Sequence, residues 1–275
     1  MRAAIGALVL LSSLGALPAR AEWTRELELT HGAFSIDGAP EAIVHAPADI
    51  RADEPLHVVL FLHGYRGCAR VLAYAGDAVR CRDGARAQRG WGLLDAHDAA
   101  GTRSVMIVAQ LAFDVRDGSP GRFGRVGGVA AFLDEVLAAL TSELGARRAA
   151  DIASLTLLAH SAAFESSLAV IRHGGVEAQL RSVVLLDALY AGGPAFLAWA
   201  RQDEARRLVV LFTGGRTAER SRSLARSAGE LAALEPDEGL ASDRRVVVVH
   251  ARVAHGDVPA RYIPDVLRAL RLPRR

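Results

Sequence analysis

The chain has 275 residues, of which 51% are hydrophobic and 23% are charged. These proportions exclude an intrinsically disordered chain and are typical of one globular domain with a large core. The 33 basic and 31 acidic residues leave a net charge of only +2. That balance gives no indication of a nucleic-acid-binding protein, in which positive charge is usually concentrated on one face.

The first 21 residues have the pattern of an export signal peptide. Arg2 supplies a positive start, Ile5 to Leu17 is an apolar stretch, and Ala19-Arg20-Ala21 resembles a cleavage site before Glu22. The apolar stretch is too short to cross a bilayer comfortably, and no later run is long enough. We therefore expect a signal peptide over residues 1–21 and a mature chain, periplasmic or secreted, without a transmembrane segment. An uncleaved N-terminal anchor is the alternative.

Apolar runs rich in β-branched residues predict the strands. Two short strands at the start are expected to form a hairpin around a turn at His31-Gly32, and the later runs are expected to be buried central strands. In chain order the predicted strands are Trp23–Leu29, Phe34–Ile36, Ala42–His45, His57–Leu62, Ser104–Ala109, Leu155–Ala159, Ser182–Leu186, Leu208–Phe212 and Arg245–Val253.

Amphipathic patterns between these runs predict helices over Gly128–Leu144, Ala162–His173, Pro194–Arg206, Ser221–Leu234 and Pro264–Leu270. Alternating strands and helices predict an α/β fold, with a mostly parallel, doubly wound sheet and helices on both faces. The carboxyl ends of such strands share one edge, where sites form. Residues 22–275 are therefore expected to form a single domain. Only one helix follows Asp187 before the next strand, so no large cap domain is expected.

The two cysteines of the chain, Cys68 and Cys81, lie close together in sequence. In an oxidising compartment a pair of this kind is expected to form a disulfide. Two free buried thiols are the alternative.

The stretch around Ser161 predicts a sharp turn between a strand and a helix. The apolar run Leu155–Ala159 is followed by His160, Ser161 and two small residues, and then by a helical pattern. A nucleophile elbow is built in this way, because its tight backbone bend tolerates only small neighbours. A serine that caps an ordinary helix is the alternative.

Ala159-His160-Ser161-Ala162-Ala163 resembles the G-x-S-x-G motif of the α/β-hydrolase superfamily, with alanine in place of both glycines. The resemblance extends from about His57 to the C-terminus. It rests on three separated motifs in the superfamily's order of nucleophile, acid and histidine. It implies an α/β-hydrolase fold and a serine hydrolase in which Ser161 is the nucleophile.

The resemblance also implies a base and an acid. His255, in a loop after the last predicted strand, resembles the superfamily's catalytic histidine, and the strand residue His250 is its rival. Asp187 follows the strand at Ser182–Leu186, which is the acid position in some members. A carboxylate there would be costly without a partner, although a purely structural aspartate is the alternative. Asp257 is the second candidate for the acid.

The superfamily pattern also implies an oxyanion hole made of two backbone N–H groups. Ala162 follows the nucleophile and would supply one of them, and Tyr65 would supply the other. His63 and Gly64 precede Tyr65 and are candidate substrate-binding residues, although a structural role is expected for the His63 side chain. A disulfide at Cys68 would stiffen this loop.

Arg122 lies in the Gly-rich segment Ala112–Val126, together with Arg116 and Arg125, and is a candidate for binding an anionic group of a substrate. A solvated surface loop is the alternative. The remaining histidines lack the spacing of a metal site, and there is no phosphate-binding or dinucleotide motif, so neither a metal nor a cofactor is expected. These histidines are His31, His45, His57, His97, His160 and His173.

The sequence thus predicts an exported serine hydrolase that acts on a small-molecule, peptide or lipid substrate and does not bind nucleic acid. Cleavage of an ester is the first expectation. An amidase or peptidase that acts on an envelope or extracellular peptide is the alternative within the same chemistry. A non-catalytic binding protein on a hydrolase scaffold is the alternative outside it. The oligomeric state is left open.

Overall fold

The computed structural model describes residues 22–47, 50–113, 118–235, 240 and 243–275. The predicted signal peptide, residues 1–21, lies outside these ranges. In the described residues nine strands form one sheet. The strands are β1 (Trp23–Leu27), β2 (Ala42–Ala46), β3 (Leu56–Leu62), β4 (Val105–Ala109), β5 (Ile152–His160), β6 (Leu180–Leu186), β7 (Arg207–Phe212), β8 (Ala232–Glu235) and β9 (Val246–His250).

The strand order across the sheet is β1-β2-β4-β3-β5-β6-β7-β9-β8. Every pair from β4 to β8 in this order is parallel, and β2 runs antiparallel to both of its neighbours. The prediction of a mostly parallel sheet is confirmed. The carboxyl ends of β5, β6 and β9 therefore lie along the same edge.

Helices cover both faces of the sheet, as expected for a doubly wound fold. They are α1 (Ala69–Ala73), α2 (Leu93–Ala100), α3 (Gly128–Ala139), α4 (Thr141–Leu144), α5 (Phe164–His173), α6 (Gly193–Arg201), α7 (Gly215–Ala228) and α8 (Val258–Ala269).

Alternate residues along β3 belong to two separate cores. Leu60 packs with α3, α5, α6 and α7, whereas Phe61 packs with α1, α2 and α8. This division follows from the strand period of two, which turns successive side chains to opposite faces of the sheet. Between β6 and β7 the chain forms only α6, which confirms the expectation that no large cap domain is inserted there.

Several predicted elements differ from those observed. The expected N-terminal hairpin is wrong, because β1 pairs with β2 and residues 34–36 form only the single bridge Ile36–Ala39. The helix predicted over Ser221–Leu234 begins earlier, at Gly215, and gives way to the edge strand β8, which pairs with β9.

The last helix also begins earlier than predicted, at Val258 instead of Pro264. Pro259 lies in its first turn, where the missing N–H of proline costs no hydrogen bond. Helices α1 and α2 were not predicted, and the helix expected over Gly128–Leu144 is broken at Leu140.

Cys68 and Cys81 form the expected disulfide, with their Cα atoms 5.7 Å apart and both residues buried. The bridge joins the start of α1 to the loop that precedes α2. None of the helices in the described ranges combines the length and the apolar character that crossing a bilayer requires.

Candidate active site

Ser161 occupies a sharp turn between β5 and α5. β5 ends at His160, a 3-10 turn spans Ser161–Ala163, and α5 starts at Phe164. The φ angle of Ser161 is 57°, in the left-handed region that residues other than glycine rarely adopt. Strained backbone of this kind is concentrated at functional sites. The structure therefore places Ser161 at an elbow, and not at the cap of an ordinary helix.

Two glycines allow the chain to approach this elbow closely. A Cβ atom at Gly64 would lie 2.6 Å from the Cβ atom of Ser161, and one at Gly118 would lie 1.9 Å from the carbonyl oxygen of Ala162. Both distances are far shorter than real Cβ contacts, so only glycine fits at either position. Gly64 thereby brings the backbone that leads to Tyr65 directly beside the serine.

Ser161, His255 and Asp187 form a chain of hydrogen bonds. The Oγ atom of Ser161 lies 2.9 Å from Nε2 of His255, and Nδ1 of His255 lies 2.7 Å from Oδ2 of Asp187. The three residues follow β5, β9 and β6, whose carboxyl ends lie at one edge of the sheet. A carboxylate on Nδ1 fixes the tautomer that leaves Nε2 free to accept the serine proton.

Asp187 is held by more than the histidine. It is 2% exposed, and its backbone adopts a φ angle of 49°. The Thr213 N–H donates to Oδ1 at 3.0 Å, and the hydroxyls of Thr213 and Thr217 donate to the two carboxylate oxygens at 2.5 Å each. Burial opposes ionisation, but these donors and His255 outweigh it and lower the pKa of Asp187 to about 2. The carboxylate is therefore charged at neutral pH.

His250 and Asp257, the alternative candidates for the base and the acid, have other surroundings. The Nε2–H group of His250 donates to the carbonyl oxygen of Thr213 at 3.0 Å, and its ring stacks on Phe212. Asp257 is exposed in the 3-10 turn before α8. Neither side chain takes part in the hydrogen-bonded chain at Ser161.

His160 braces the loop that carries His255. Its ring is buried with its centroid 4.5 Å from that of His255, and its Nε2–H group donates to the carbonyl oxygen of His255 at 3.0 Å. The ring of Trp91 packs edge-on against it at 5.4 Å. Burial and the neighbouring His255 lower the pKa of His160 to about 3, so its ring is neutral. This role could not be predicted from the sequence, because His160 occupies the variable position of the motif.

The loop after β3 is braced by buried polar groups. Nδ1–H of His63 donates to the carbonyl oxygen of Gly64 at 2.8 Å, and Nε2 accepts from the Leu111 N–H at 2.8 Å. Burial lowers the pKa of His63 to about 4 and keeps the ring neutral, as both bonds require. Oε1 of Gln110 accepts from the Ala69 N–H at 2.9 Å and so anchors the far end of the loop. These bonds give the His63 side chain a structural role, and substrate binding by His63 stays a prediction.

No protein-family model and no curated protein matches this sequence. Similar solved structures include a mutant feruloyl esterase module from Clostridium thermocellum complexed with sinapinate. It is 8% identical, has a TM-score of 0.59, and the match covers 94% of this chain and 91% of that chain. A ferulic acid esterase is 11% identical with a TM-score of 0.50, and the match covers 91% of this chain and 99% of that one. The chain has the α/β-hydrolase fold.

This α/β-hydrolase fold leaves a small cavity beside Ser161. The cavity has a volume of about 240 Å³ and is closed on one side by the loop after β3 and on the other by the segment before α2. Its lining includes Tyr65, Gln88, Trp91, His160, Ser161 and His255. The segment Tyr65–Ala100 therefore contributes to the site.

A larger cavity of about 790 Å³ lies on the other side of Gln88, which lines both. Phe34, Phe113, Arg82 and Arg86 line this second cavity. Aromatic and basic side chains therefore lie on the side of Gln88 away from Ser161.

Tyr190 is a further neighbour of Ser161 that the sequence did not indicate. Burial, together with the charge of Asp187, raises the pKa of Tyr190, and the nearby Ser161 hydroxyl opposes this shift. Its ring lies 6.1 Å from that of Phe164, the first residue of α5. Tyr190 follows Asp187 by three residues, and only the path of the chain after β6 brings it to the serine.

Arg122 lies in the 3-10 turn Gly121–Gly124. Its Nη1 group donates to the carbonyl oxygen of Gly32 at 2.9 Å, which ties this turn to the loop after β1. Arg116 lies outside the described residues. Substrate binding by Arg122 stays a prediction, and the contact with Gly32 gives the side chain a structural role of its own.

Proposed function

We propose that the protein is an exported serine esterase that cleaves its substrate by acyl transfer through Ser161, His255 and Asp187. The hydrogen-bonded chain of these three residues is the observation that carries the proposal. Nucleophile, base and orienting acid in contact form the constellation that activates a serine hydroxyl, which is a weak nucleophile on its own.

In the proposed reaction, Nε2 of His255 takes the proton of Ser161 as Oγ attacks the carbonyl carbon of the ester. Asp187 stabilises the imidazolium that forms. The backbone N–H groups of Tyr65 and Ala162 bind the oxyanion of the tetrahedral intermediate. His255 then protonates the departing alcohol, and a water molecule activated by the same imidazole releases the acid from Ser161.

The substrate proposed first is an ester of a small aromatic acid. Trp91 and Tyr65 give the cavity beside Ser161 the flat, partly polar walls that suit an aromatic ring. Two structures with the same fold are feruloyl or ferulic acid esterases, which supports this choice as a starting point. The arginines and phenylalanines of the larger cavity suit a longer leaving group.

Export is part of the proposal. A disulfide persists in oxidising compartments, so the Cys68–Cys81 bridge supports a periplasmic or secreted location. The proposed signal peptide is residues 1–21, and residues 22–275 would then be the mature single domain. The peptidase alternative would be favoured by arginines of the Ala112–Val126 segment placed to bind a substrate carboxylate. The contact of Arg122 with Gly32 gives it no support.

The test is hydrolysis by purified residues 22–275 of p-nitrophenyl acetate, methyl ferulate and matching anilides. We expect the esters to be cleaved faster, and Ser161→Ala to abolish cleavage while Ser142→Ala, an exposed serine on α4, retains it. A fluorophosphonate probe should label Ser161. Unchanged hydrolysis by a folded Ser161→Ala protein, or labelling of another residue, would overturn the proposal.

A further inference from the structure

Three potential metal ligands lie close together near the end of the sheet where the parallel strands begin, opposite the end that carries Ser161. His45 on β2 and the neighbouring His97 and Asp98 on α2 each offer one ligand atom, and these atoms lie within 4.8 Å of one another. Nε2 of His45 is 3.0 Å from Oδ2 of Asp98. In tetrahedral zinc sites the ligand atoms are about 3.3 Å apart, as bonds of about 2.0–2.2 Å require. Around an ion the separations, 3.0 Å for one pair and at most 4.8 Å for the others, would adjust to about that value.

His97, one of these three residues, has a buried ring nitrogen without a partner in the described part of the chain. His97 is fully buried, and its Nδ1 atom has no hydrogen bond among the described residues. A buried nitrogen left in this way costs about 1–3 kcal/mol, so such groups need an explanation. The other nitrogen of the ring, Nε2, is bonded to the Ser104 hydroxyl at 2.9 Å, which leaves Nδ1 as the atom able to bind a ligand.

Neighbouring polar groups hold the three ligand side chains in place through hydrogen bonds. Nδ1 of His45 lies 2.9 Å from Oγ1 of Thr24, and the Ser104 hydroxyl that holds His97 is itself bonded to Thr102 at 3.0 Å. Nη2 of Arg275 donates to Oδ1 of Asp98 at 2.5 Å and leaves Oδ2 for the cluster. Metal-binding histidines are usually held in this manner, with the second ring nitrogen bonded to a neighbouring polar group.

We propose that Nε2 of His45, Nδ1 of His97 and Oδ2 of Asp98 bind a divalent transition-metal ion of the zinc type. Two imidazoles and one carboxylate suit the borderline character of Zn²⁺ better than that of Ca²⁺ or Mg²⁺, which prefer oxygen ligands alone. Water would complete the tetrahedron, because the Asp98 side chain is one-quarter exposed and gives access to solvent. The sequence did not predict this site, since His45 and His97 are far apart in the chain.

The position of the cluster assigns the metal a structural role. His45 pairs with Met106, which is in register with Val59 and, through it, with Thr156, five residues before Ser161. Five residues of strand amount to about 16 Å. The ion would therefore hold β2 and α2 together, and the C-terminal Arg275 with them, without touching the reacting groups.

The first test measures zinc bound to residues 22–275 after EDTA treatment and re-equilibration with ZnCl₂. We expect one equivalent per chain and, at free zinc about 100 times the Kd, a rise in Tm of roughly 5–10 °C. Asp98→Asn and His45→Gln should lose both the bound zinc and the Tm shift. His57→Gln should keep them, because this half-buried histidine is bonded to Ser154 outside the cluster.

A second set of variants covers misfolding and competing sites. Ser104→Ala keeps all three ligands and should weaken zinc binding about 10- to 100-fold, as loss of an orienting partner does. His255→Ala should retain the zinc equivalent, which separates the cluster from binding at the proposed triad. Absence of stoichiometric zinc, or equal binding by the wild type, Asp98→Asn and His45→Gln, would overturn the proposal.

Discussion

His160 and His255 are joined by both a ring contact and a hydrogen bond. The ring centroids lie 4.5 Å apart, and Nε2–H of His160 donates to the carbonyl oxygen of His255 at 3.0 Å. His160 is the last residue of β5, whereas His255 begins the 3-10 turn between β9 and α8. The contact therefore connects the residue before the proposed nucleophile with the backbone of the proposed base.

Replacement of His160 tests whether this contact positions the base. His160→Phe keeps an aromatic ring beside His255 but loses the hydrogen bond, so we expect kcat to fall about 10- to 100-fold with little change in KM. His160→Gln, which can donate to the same carbonyl, should recover part of the loss. The measurement is steady-state kinetics on the best ester substrate. His57→Phe is the control, and an unchanged kcat in folded His160→Phe would reduce the contact to packing.

Asp187→Asn tests the proposed acid. The amide cannot stabilise an imidazolium and can select the wrong tautomer of His255, so kcat at pH 7 should fall by about 10⁴. Asp257→Asn is the matched control, because Asp257 is close to His255 in sequence but exposed and outside the hydrogen-bonded chain. If Asp257→Asn were the inactive variant and Asp187→Asn the active one, the assignment of the acid would be wrong.

The lowered pKa of Asp187 has a consequence for stability in acid. A carboxyl group whose pKa is lower in the folded than in the unfolded state stabilises the fold at pH values above its unfolded-state pKa. This stabilisation is lost as the pH falls through the folded-state pKa. A shift from 3.8 to about 2 corresponds to roughly 2 kcal/mol. The free energy of unfolding, measured in urea, should be higher for the wild type than for Asp187→Asn at pH 5, and this difference should shrink by that amount by pH 2. A difference in free energy of unfolding that does not change with pH would contradict the lowered pKa of Asp187.

The residues at the centre of the site could be predicted because each follows a recognisable strand. Ser161 comes after an apolar run and before small residues, Asp187 ends another run, and His255 follows the last one. The resemblance to the α/β-hydrolase superfamily selected these three residues from their rivals, and parallel strands bring their carboxyl ends to the one edge where the three meet. The disulfide could also be predicted, because the chain has only two cysteines and they lie close together in sequence.

The supporting residues could not be predicted, because their partners are distant in sequence. Thr213 and Thr217 reach Asp187 only because β7 pairs with β6, and Tyr190 reaches Ser161 through the turn after β6. The helix pattern gave a wrong prediction at β8. Its first residues were expected to continue the helix over Ser221–Leu234, but they pair with β9 in the sheet. The packing of Gly64 against Ser161 also arises only in the folded chain.

Gly64→Ala tests that packing. The new Cβ atom would lie 2.6 Å from the Cβ atom of Ser161, so the loop that carries Tyr65 must move away from the serine. Because one oxyanion donor is worth about 10²–10³ in rate, we expect kcat to fall by at least about 10². Gly214→Ala is the control, since its Cβ would meet no atom within 4 Å. Near wild-type kcat in Gly64→Ala would show that the loop yields without displacing the Tyr65 backbone.

Replacing both cysteines by serine separates two effects of the Cys68–Cys81 bridge. A crosslink over a sequence separation of 13 stabilises the fold by about 3 kcal/mol in the chain-entropy model, and urea unfolding should show a loss of that order. That effect acts on the unfolded state and leaves kcat unchanged. Cys68, however, lies three residues after Tyr65 and lines the cavity beside Ser161, so a looser loop should also lower kcat several-fold.

Reductant provides the control for this pair of measurements. It should lower the Tm and kcat of the wild type towards those of the double serine variant and leave the variant itself unchanged. A variant that loses stability but keeps full kcat at a temperature where it is folded would show that Gln110 and His63 hold the Tyr65 loop without the disulfide. A fall in both quantities would instead place the bridge among the groups that pre-organise the proposed oxyanion hole.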